Sequence, residues 1–263
     1  MHILVANDDG IFAPGILALH AALRMIEGAK VTVVAPDQDQ SGVGHRKTYR
    51  EPLRISPVSL PGGGEGYACS GSPADGVALA LAGYIEEPVD IVVSGINSGA
   101  NIAHHLTYSG TVGAAMEAAL FGLPAIAISL AAHRDVDYGH AAAFAKHITP
   151  LVLEKGMPDR TLLNVNVPAG MPKGVLVTRQ GRRLYRPSMD ERRDPYGLPY
   201  YWSNGSDPFG DMPEIGTDAW AVAEGYISVT PIRLEMTDSS FMRTVEEWEL
   251  MPEEYYVDLV VEP

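Results

Sequence analysis

Short apolar runs alternate with amphipathic segments through the first half of the chain. Ile3-Leu4-Val5-Ala6 is uniformly apolar, the pattern of a strand buried on both faces. After Pro14, the positions Ile16, Leu19, Leu23 and Ile26 recur three or four apart. They share one face of a helix, and Gly28 suits its stop. Residues 31–35 read as a second strand, and Pro73 opens a helix to about residue 81. Asp90-Ile91-Val92-Val93-Ser94 is a further buried strand, residues 111–121 a helix, and Ala125-Ile126-Ala127-Ile128 another strand. Such alternation predicts a parallel sheet with helices on both faces and right-handed crossovers, a three-layer α/β/α sandwich.

The pattern changes after about residue 130. Residues 138–154 read as one more helix, 161–167 as a strand and 175–178 as another. The stretch 179–213 is rich in Arg, Asp, Pro, Tyr and Gly, too polar for a core and too aromatic for a plain linker. It is read as a protruding hairpin or arm. Residues 217–224 (helix) and 226–230 (strand) return to the regular pattern, and 243–250 reads as a short helix in a C-terminal tail. A single domain is expected, with its core in 1–178 and 214–231 and its tail in 232–263. There is no internal repeat.

Composition narrows the functional classes. Hydrophobic residues make up 46% of the 263, enough for a sizeable core, and no run is long and apolar enough to span a bilayer. The formal charge of −14 argues against a nucleic acid duplex as partner, which calls for clustered Lys and Arg. It leaves room for a small phosphorylated substrate, because a bound cation reverses the potential locally. Cys69 is the only cysteine, which excludes an internal disulfide and a thiolate cluster and fits a reducing cytoplasm. The chain starts without a basic n-region, so no secretory signal is expected.

Four segments carry candidate chemistry. Asp8 and Asp9 directly follow the first strand, where ligands collect in parallel α/β sheets. Adjacent acids there repel unless a cation or a shared proton relieves them, although Asn7-Asp8-Asp9-Gly10 is also good turn chemistry. Ser41, in Gln38-Asp39-Gln40-Ser41-Gly42, follows the second strand and offers a hydroxyl oxygen. Asn97 and Asn101, in Ser94-Gly95-Ile96-Asn97-Ser98-Gly99-Ala100-Asn101, follow a third and offer amide oxygens. Ser109, Gly110 and Thr111 precede a helix whose first N–H groups can hold an anion, or simply an N-cap. All-oxygen ligation favours Mg²⁺, Mn²⁺ or Ca²⁺ over zinc. His104 and His105 are adjacent and do not face one another on a helix, so acid/base or surface roles are read before a zinc pair. No Walker or dinucleotide fingerprint stands in the right context.

Taken in order, these residues resemble the stationary-phase survival protein SurE family of metal-dependent 5′/3′-nucleotidases. The match rests on Val5-Ala6-Asn7-Asp8-Asp9-Gly10, Ala35-Pro36 with Gln40-Ser41-Gly42, and Ser72-Pro73-Ala74-Asp75. It rests further on Ser94-Gly95-Ile96-Asn97-Ser98-Gly99-Ala100-Asn101, Tyr108-Ser109-Gly110-Thr111-Val112, Ala115-Met116-Glu117, Thr217-Asp218 and Gly225-Tyr226-Ile227-Ser228-Val229-Thr230-Pro231. The resemblance implies a Rossmann-like domain with an extended hairpin and a C-terminal arm exchanged between subunits of a homodimer or homotetramer. It implies one divalent cation per subunit on Asp8, Asp9, Ser41 and Asn97, and a nucleoside monophosphate whose phosphate meets Asn101, Ser109, Gly110 and Thr111. Two departures stand out. Ala103-His104-His105-Leu106 replaces a Gly-Asp-Asp-Val-like stretch, and Gly76 replaces a usual Cys.

The expected chemistry is water attack on the phosphate, with Asp8 or Asp9 orienting or deprotonating the water. His45, His104 and His105 are candidate proton donors to the leaving group. Two other readings compete. A covalent aspartyl-phosphate route through Asp8 normally carries an Asp-x-Asp-x-Thr run that Asn7-Asp8-Asp9-Gly10 does not fit. A non-catalytic nucleotide-binding module is permitted by the fold alone.

Overall fold

The computed structural model describes residues 1–132, 136–182, 184–209, 214–248 and 250. The first unit is β1 (His2–Ala6), α1 (Pro14–Leu23) and β2 (Lys30–Pro36). A hairpin of β3 (Ile55–Ser59) and β4 (Glu65–Cys69) leads into α2 (Pro73–Leu79), which continues as a π turn over Ala80–Tyr84. Then come β5 (Ile91–Ser98), a 3₁₀ turn (Ala103–Tyr108), α3 (Gly110–Leu120), β6 (Ala125–Ala131), α4 (Gly139–Lys155), β7 (Thr161–Pro168) and β8 (Val175–Val177). The last elements are β9 (Leu184–Arg193), β10 (Pro199–Phe209), α5 (Asp218–Ala223), β11 (Ile227–Arg233) and α6 (Ser239–Glu246).

One sheet has the order β3-β4-β2-β1-β5-β6-β7-β11-β8. It is parallel from β4 to β7, with β3 antiparallel at one edge and β11 antiparallel to β7. The expected mostly parallel α/β sheet is therefore the fold. Its two faces are built by the period of two along each strand. Ile3, Val5, Val33, Ile91, Val93, Ile126 and Ile128 pack with Ile16, Leu19 and Leu23 of α1 and with Ala141, Ala145 and Ile148 of α4. The alternate positions Leu4, Ala6, Val34, Val92, Ala125 and Ala127 pack with Val77 of α2 and Val112, Ala114, Ala115 and Ala118 of α3. The aliphatic side chains among them are almost wholly buried, each burial contributing about 1.5–3 kcal/mol. On this second face α3 presents small residues, Ala114, Ala115 and Ala118, to a cluster that includes Ala125 and Ala127 of β6.

The chain runs outward from β1 through β2 on one side and through β5, β6 and β7 on the other. β1 and β5 are thus neighbours at the point where the strand order reverses, and the crevice beyond their carboxyl ends is where such folds bind ligands.

Four elements differ from the pattern-based reading. β3 and β4 were not expected: β3 is a half-exposed edge strand containing Pro57, so it shows neither an apolar run nor clean alternation. β5 extends to Ser98 past an irregularity between Ser94 and Asn97. Gly95 sits there at φ +140, where a Cβ would lie 2.3 Å from the Ile128 carbonyl oxygen. The hairpin expected in 179–213 is there, as the two-stranded antiparallel ribbon of β9 and β10. The tail helix starts at Ser239, four residues early, because Asp238 caps it by accepting from the N–H groups of Ser240 and Phe241. Residues 251–263 of the expected tail lie outside the described residues. Among the described residues, no helix is long and apolar enough to cross a membrane.

Candidate functional site

Of the expected site residues, Asp8, Ser41, Asn97, Asn101, His105 and Ser109 come together. A cavity of about 230 Å³ is lined by Asp8, Ser41, Asn97, Asn101, His105, Tyr108 and Ser109, among others. Asp8 is 3% exposed. Its Oδ1 accepts a hydrogen bond from the Thr111 hydroxyl at the start of α3. The Asn97 Oδ1 lies 3.4 Å from the same hydroxyl. The carbonyl of Asp8 takes the Gln40 N–H at 2.8 Å, which ties the Ser41 loop to the end of β1.

The neutral candidates have their donor hydrogens tied back. The Ser41 hydroxyl and N–H both donate to Asp39 Oδ1, at 2.6 and 2.8 Å. The Asn97 side-chain amide donates to the Gly99 carbonyl at 2.8 Å. What remains on each is an oxygen with free lone pairs, as a hard cation requires. Ser109 caps α3 by accepting from Val112 N at 3.1 Å, so its own O–H remains available to an anion at the helix N-terminus.

The carboxylates carry an electrostatic cost that fits such a cation. Burial pushes Asp8 above the ordinary carboxylate range, against the pull of the Thr111 hydroxyl and the first amides of α3. Asp9 is pushed up to about 6 by burial first, then by the charges of Asp8 and Asp39. A divalent ion among these oxygens would reverse both effects.

The family model described as Survival protein SurE matches residues 3–187. The chain belongs to the SurE family. The 5′-nucleotidase SurE 1 of Thermus thermophilus is 48% identical over 248 residues, covering 93% of this chain and 96% of that protein. The 5′-nucleotidase SurE of Chloroflexus aggregans is 44% identical over 254 residues, covering 95% and 99%. The crystal structure of the SurE protein from Aquifex aeolicus superposes with a TM-score of 0.80 at 41% identity, covering 94% of this chain and 98% of that one.

Within this SurE fold the remaining candidates separate. Asn101 is buried and largely committed: its side chain donates to Ser129 Oγ at 2.9 Å, and its backbone is held by Asn164 and Asn166 of β7. His104 is exposed on the 3₁₀ turn, whereas His105 lines the cavity and meets Tyr108 edge-on. His45 contacts Glu117 of α3 at 2.7 Å, and Lys47 holds the other oxygen of that carboxylate at 2.8 Å. Asp39, Asn166 and Asp218 were not singled out from the sequence as site residues. Asp39 had a local signal, since an Asp two residues before a Ser is an ordinary side-chain turn.

The Glu117 cluster gives a stability prediction. Burial alone would raise the Glu117 carboxyl, but hydrogen bonds from His45 and Lys47 outweigh it and hold it low. A depressed carboxylate stabilises fully above its unfolded value of 4.5 and loses that contribution as pH falls through its lower folded value. Glu117→Gln should therefore cost on the order of 1–2 kcal/mol near pH 7 and progressively less below about pH 4. Thermal melts across that range check it; a pH-independent loss would assign the effect to packing alone.

Proposed function

We propose that this SurE-family chain is a divalent-cation-dependent phosphomonoesterase that hydrolyses nucleoside 5′- and 3′-monophosphates to nucleoside and phosphate. The observation that carries the reading is the juxtaposition of Asp8 with the N-terminus of α3, since a bare anion site would gain nothing from a buried carboxylate facing it. The names of the full-length relatives, 5′-nucleotidases, support the substrate class.

In this reading Asp8, Asp9, Ser41 and Asn97 hold one Mg²⁺ or Mn²⁺, with Ca²⁺ able to take the same oxygens. Bound there, the ion supplies charge neutralisation at a phosphoryl oxygen and lowers the pKa of water. Asp8 or Asp9 orients the attacking water and accepts its proton. The Ser109 hydroxyl takes a phosphoryl oxygen, and the N–H groups of Gly110 and Thr111, which also act on Asp8, put the positive end of α3 beside it. Asn101 acts through the backbone that fixes this loop. As the phosphorus–oxygen bond breaks, the leaving nucleoside oxygen takes a proton; of His45, His104 and His105, His105 lines the cavity and is favoured as its donor.

A homodimer or homotetramer is supported by the exposed Phe241, Met242 and Trp248 around α6. A reducing, cytoplasmic setting is supported by the buried, unpaired Cys69.

Phosphate release from AMP and GMP with Mg²⁺ or Mn²⁺, against an EDTA control, tests the reading. We expect turnover with the metal and its loss, by at least about a hundredfold, with the chelator. Nucleotide binding without release from any mononucleotide would favour a non-catalytic module instead.

A further inference from the structure

Asp218 is the first residue of α5 and is fully buried. Its Oδ2 accepts the Ala103 N–H at 2.8 Å, across 115 residues of chain. Its Oδ1 accepts the N–H groups of Gly181 at 2.9 Å and Ala219 at 2.7 Å. The helix does not depend on this carboxylate for its cap, because Thr217 already accepts from Trp220 N. Gln180, next to Gly181, donates its side-chain amide to the Ala103 carbonyl at 3.0 Å. Both polar backbone groups of Ala103 are therefore held by the strip that leads into the β9–β10 ribbon and by α5.

Ala103 needs that hold. It has φ +51, a left-handed conformation costing an L-residue on the order of 1 kcal/mol. Two residues earlier, Asn101 is gripped through its N–H and C=O by Asn164 and Asn166. Two to six residues later come His105, Tyr108 and Ser109, which line the cavity. The wall formed by 101–109 thus hangs from two anchors, one on the sheet and one on Asp218.

We propose that Asp218 is a positioning residue: it locks the loop 101–109 to the root of the β9–β10 ribbon and so sets the nucleotide-binding wall of the site. The activity arm of the test rests on the phosphomonoesterase reading above. Asn is the informative replacement. Asp presents two acceptor oxygens to three N–H groups, whereas Asn has one oxygen and an NH₂ that must face either Ala103 N–H or the Gly181 and Ala219 N–H groups.

The experiment uses the full chain with AMP and Mn²⁺, and hydrogen–deuterium exchange on the same samples. In Asp218→Asn we expect KM for AMP to rise about tenfold while the Mn²⁺ concentration for half-activation stays within about twofold. Exchange should accelerate in both 101–109 and 179–182, with β1 unchanged. Gln180→Ala, which removes one exposed side chain's bond to the same Ala103 carbonyl, should move KM and exchange in the same direction by about two- to threefold. It decides the matter if Asp218→Asn does not fold. Faster exchange confined to α5, an unchanged KM in an active enzyme, or equal shifts in KM and Mn²⁺ activation would overturn the proposal. If the wild-type chain releases no phosphate, the functional reading fails, and exchange in the two segments alone still decides the coupling.

Discussion

Asp8→Asn should reduce turnover of AMP by about a thousandfold or more, on the order of 4 kcal/mol of transition-state stabilisation, with the fold intact. The side chain is almost completely buried at the end of β1, so the isosteric amide keeps its volume and its contact with Thr111. What it loses is charge, and with it the strongest oxygen offered to a cation. The fold should not suffer. Burial raises Asp8, and burial plus the charges of Asp8 and Asp39 raises Asp9 to about 6. A carboxylate raised in the folded state stabilises below its unfolded value and loses that contribution as pH rises through its folded value. In EDTA the wild type should therefore lose melting temperature between about pH 4 and pH 6, and Asp8→Asn should lose less. Steady-state assays, circular dichroism and melts in EDTA check these outcomes; full activity in the variant would sink the assignment. A covalent role for Asp8 predicts the same loss, so it is separated by trapping. An acid-stable aspartyl label from radiolabelled nucleotide would replace water attack with an aspartyl-phosphate, and we expect none.

The parts of this molecule legible in its sequence are those whose physics is local. Ile3 to Ala6 and Ile91 to Val93 are buried on both faces and read as strands without reference to anything else. Asp8, Ser41 and Asn97 were legible as a group because each follows such a strand, and a parallel sheet brings strand ends together. The edge pair β3–β4 was not, because a half-exposed strand with Pro57 and a glycine-rich connection at 62–64 resembles a loop. Nor were partners distant in sequence. His45 reads from the sequence as a candidate proton donor, and nothing near it points to Glu117, 72 residues on. Asp218 is an acid in the first turn of a helix, which helices favour anyway, and nothing near it in sequence points to Ala103. Ser109 shows the reverse: the plain N-cap and the candidate anion donor are one hydroxyl, because accepting from Val112 leaves its proton unused.

Gly110→Ala should cost about a hundredfold in kcat, although helix propensity alone predicts a gain of up to about 1 kcal/mol in stability. A Cβ at this position would lie 2.7 Å from Asp8 Cβ, 2.9 Å from Asp8 Oδ2 and 3.1 Å from Pro73 Cγ. None of these is the loose end of a long side chain. Asp8 is fixed by β1 and by the Gln40 N–H on its carbonyl, and α3 packs its alanines on β5 and β6. Something must give by several tenths of an ångström: the carboxylate turns away from Thr111, or the first turn of α3 lifts from the end of β1. Either movement separates the two halves of the site, the cation oxygens and the phosphate donors, whose alignment is what a displacement of this size destroys. We expect a lower melting temperature, a loss of about 1–3 kcal/mol, together with a higher Mn²⁺ concentration for half-activation. Both constants should move, because Asp8 belongs to the cation side and Gly110 to the phosphate side. An alanine variant that melts higher and turns over normally would mean that Asp8 and α3 do not meet as described, and the carboxylate would lose its place at the helix N-terminus.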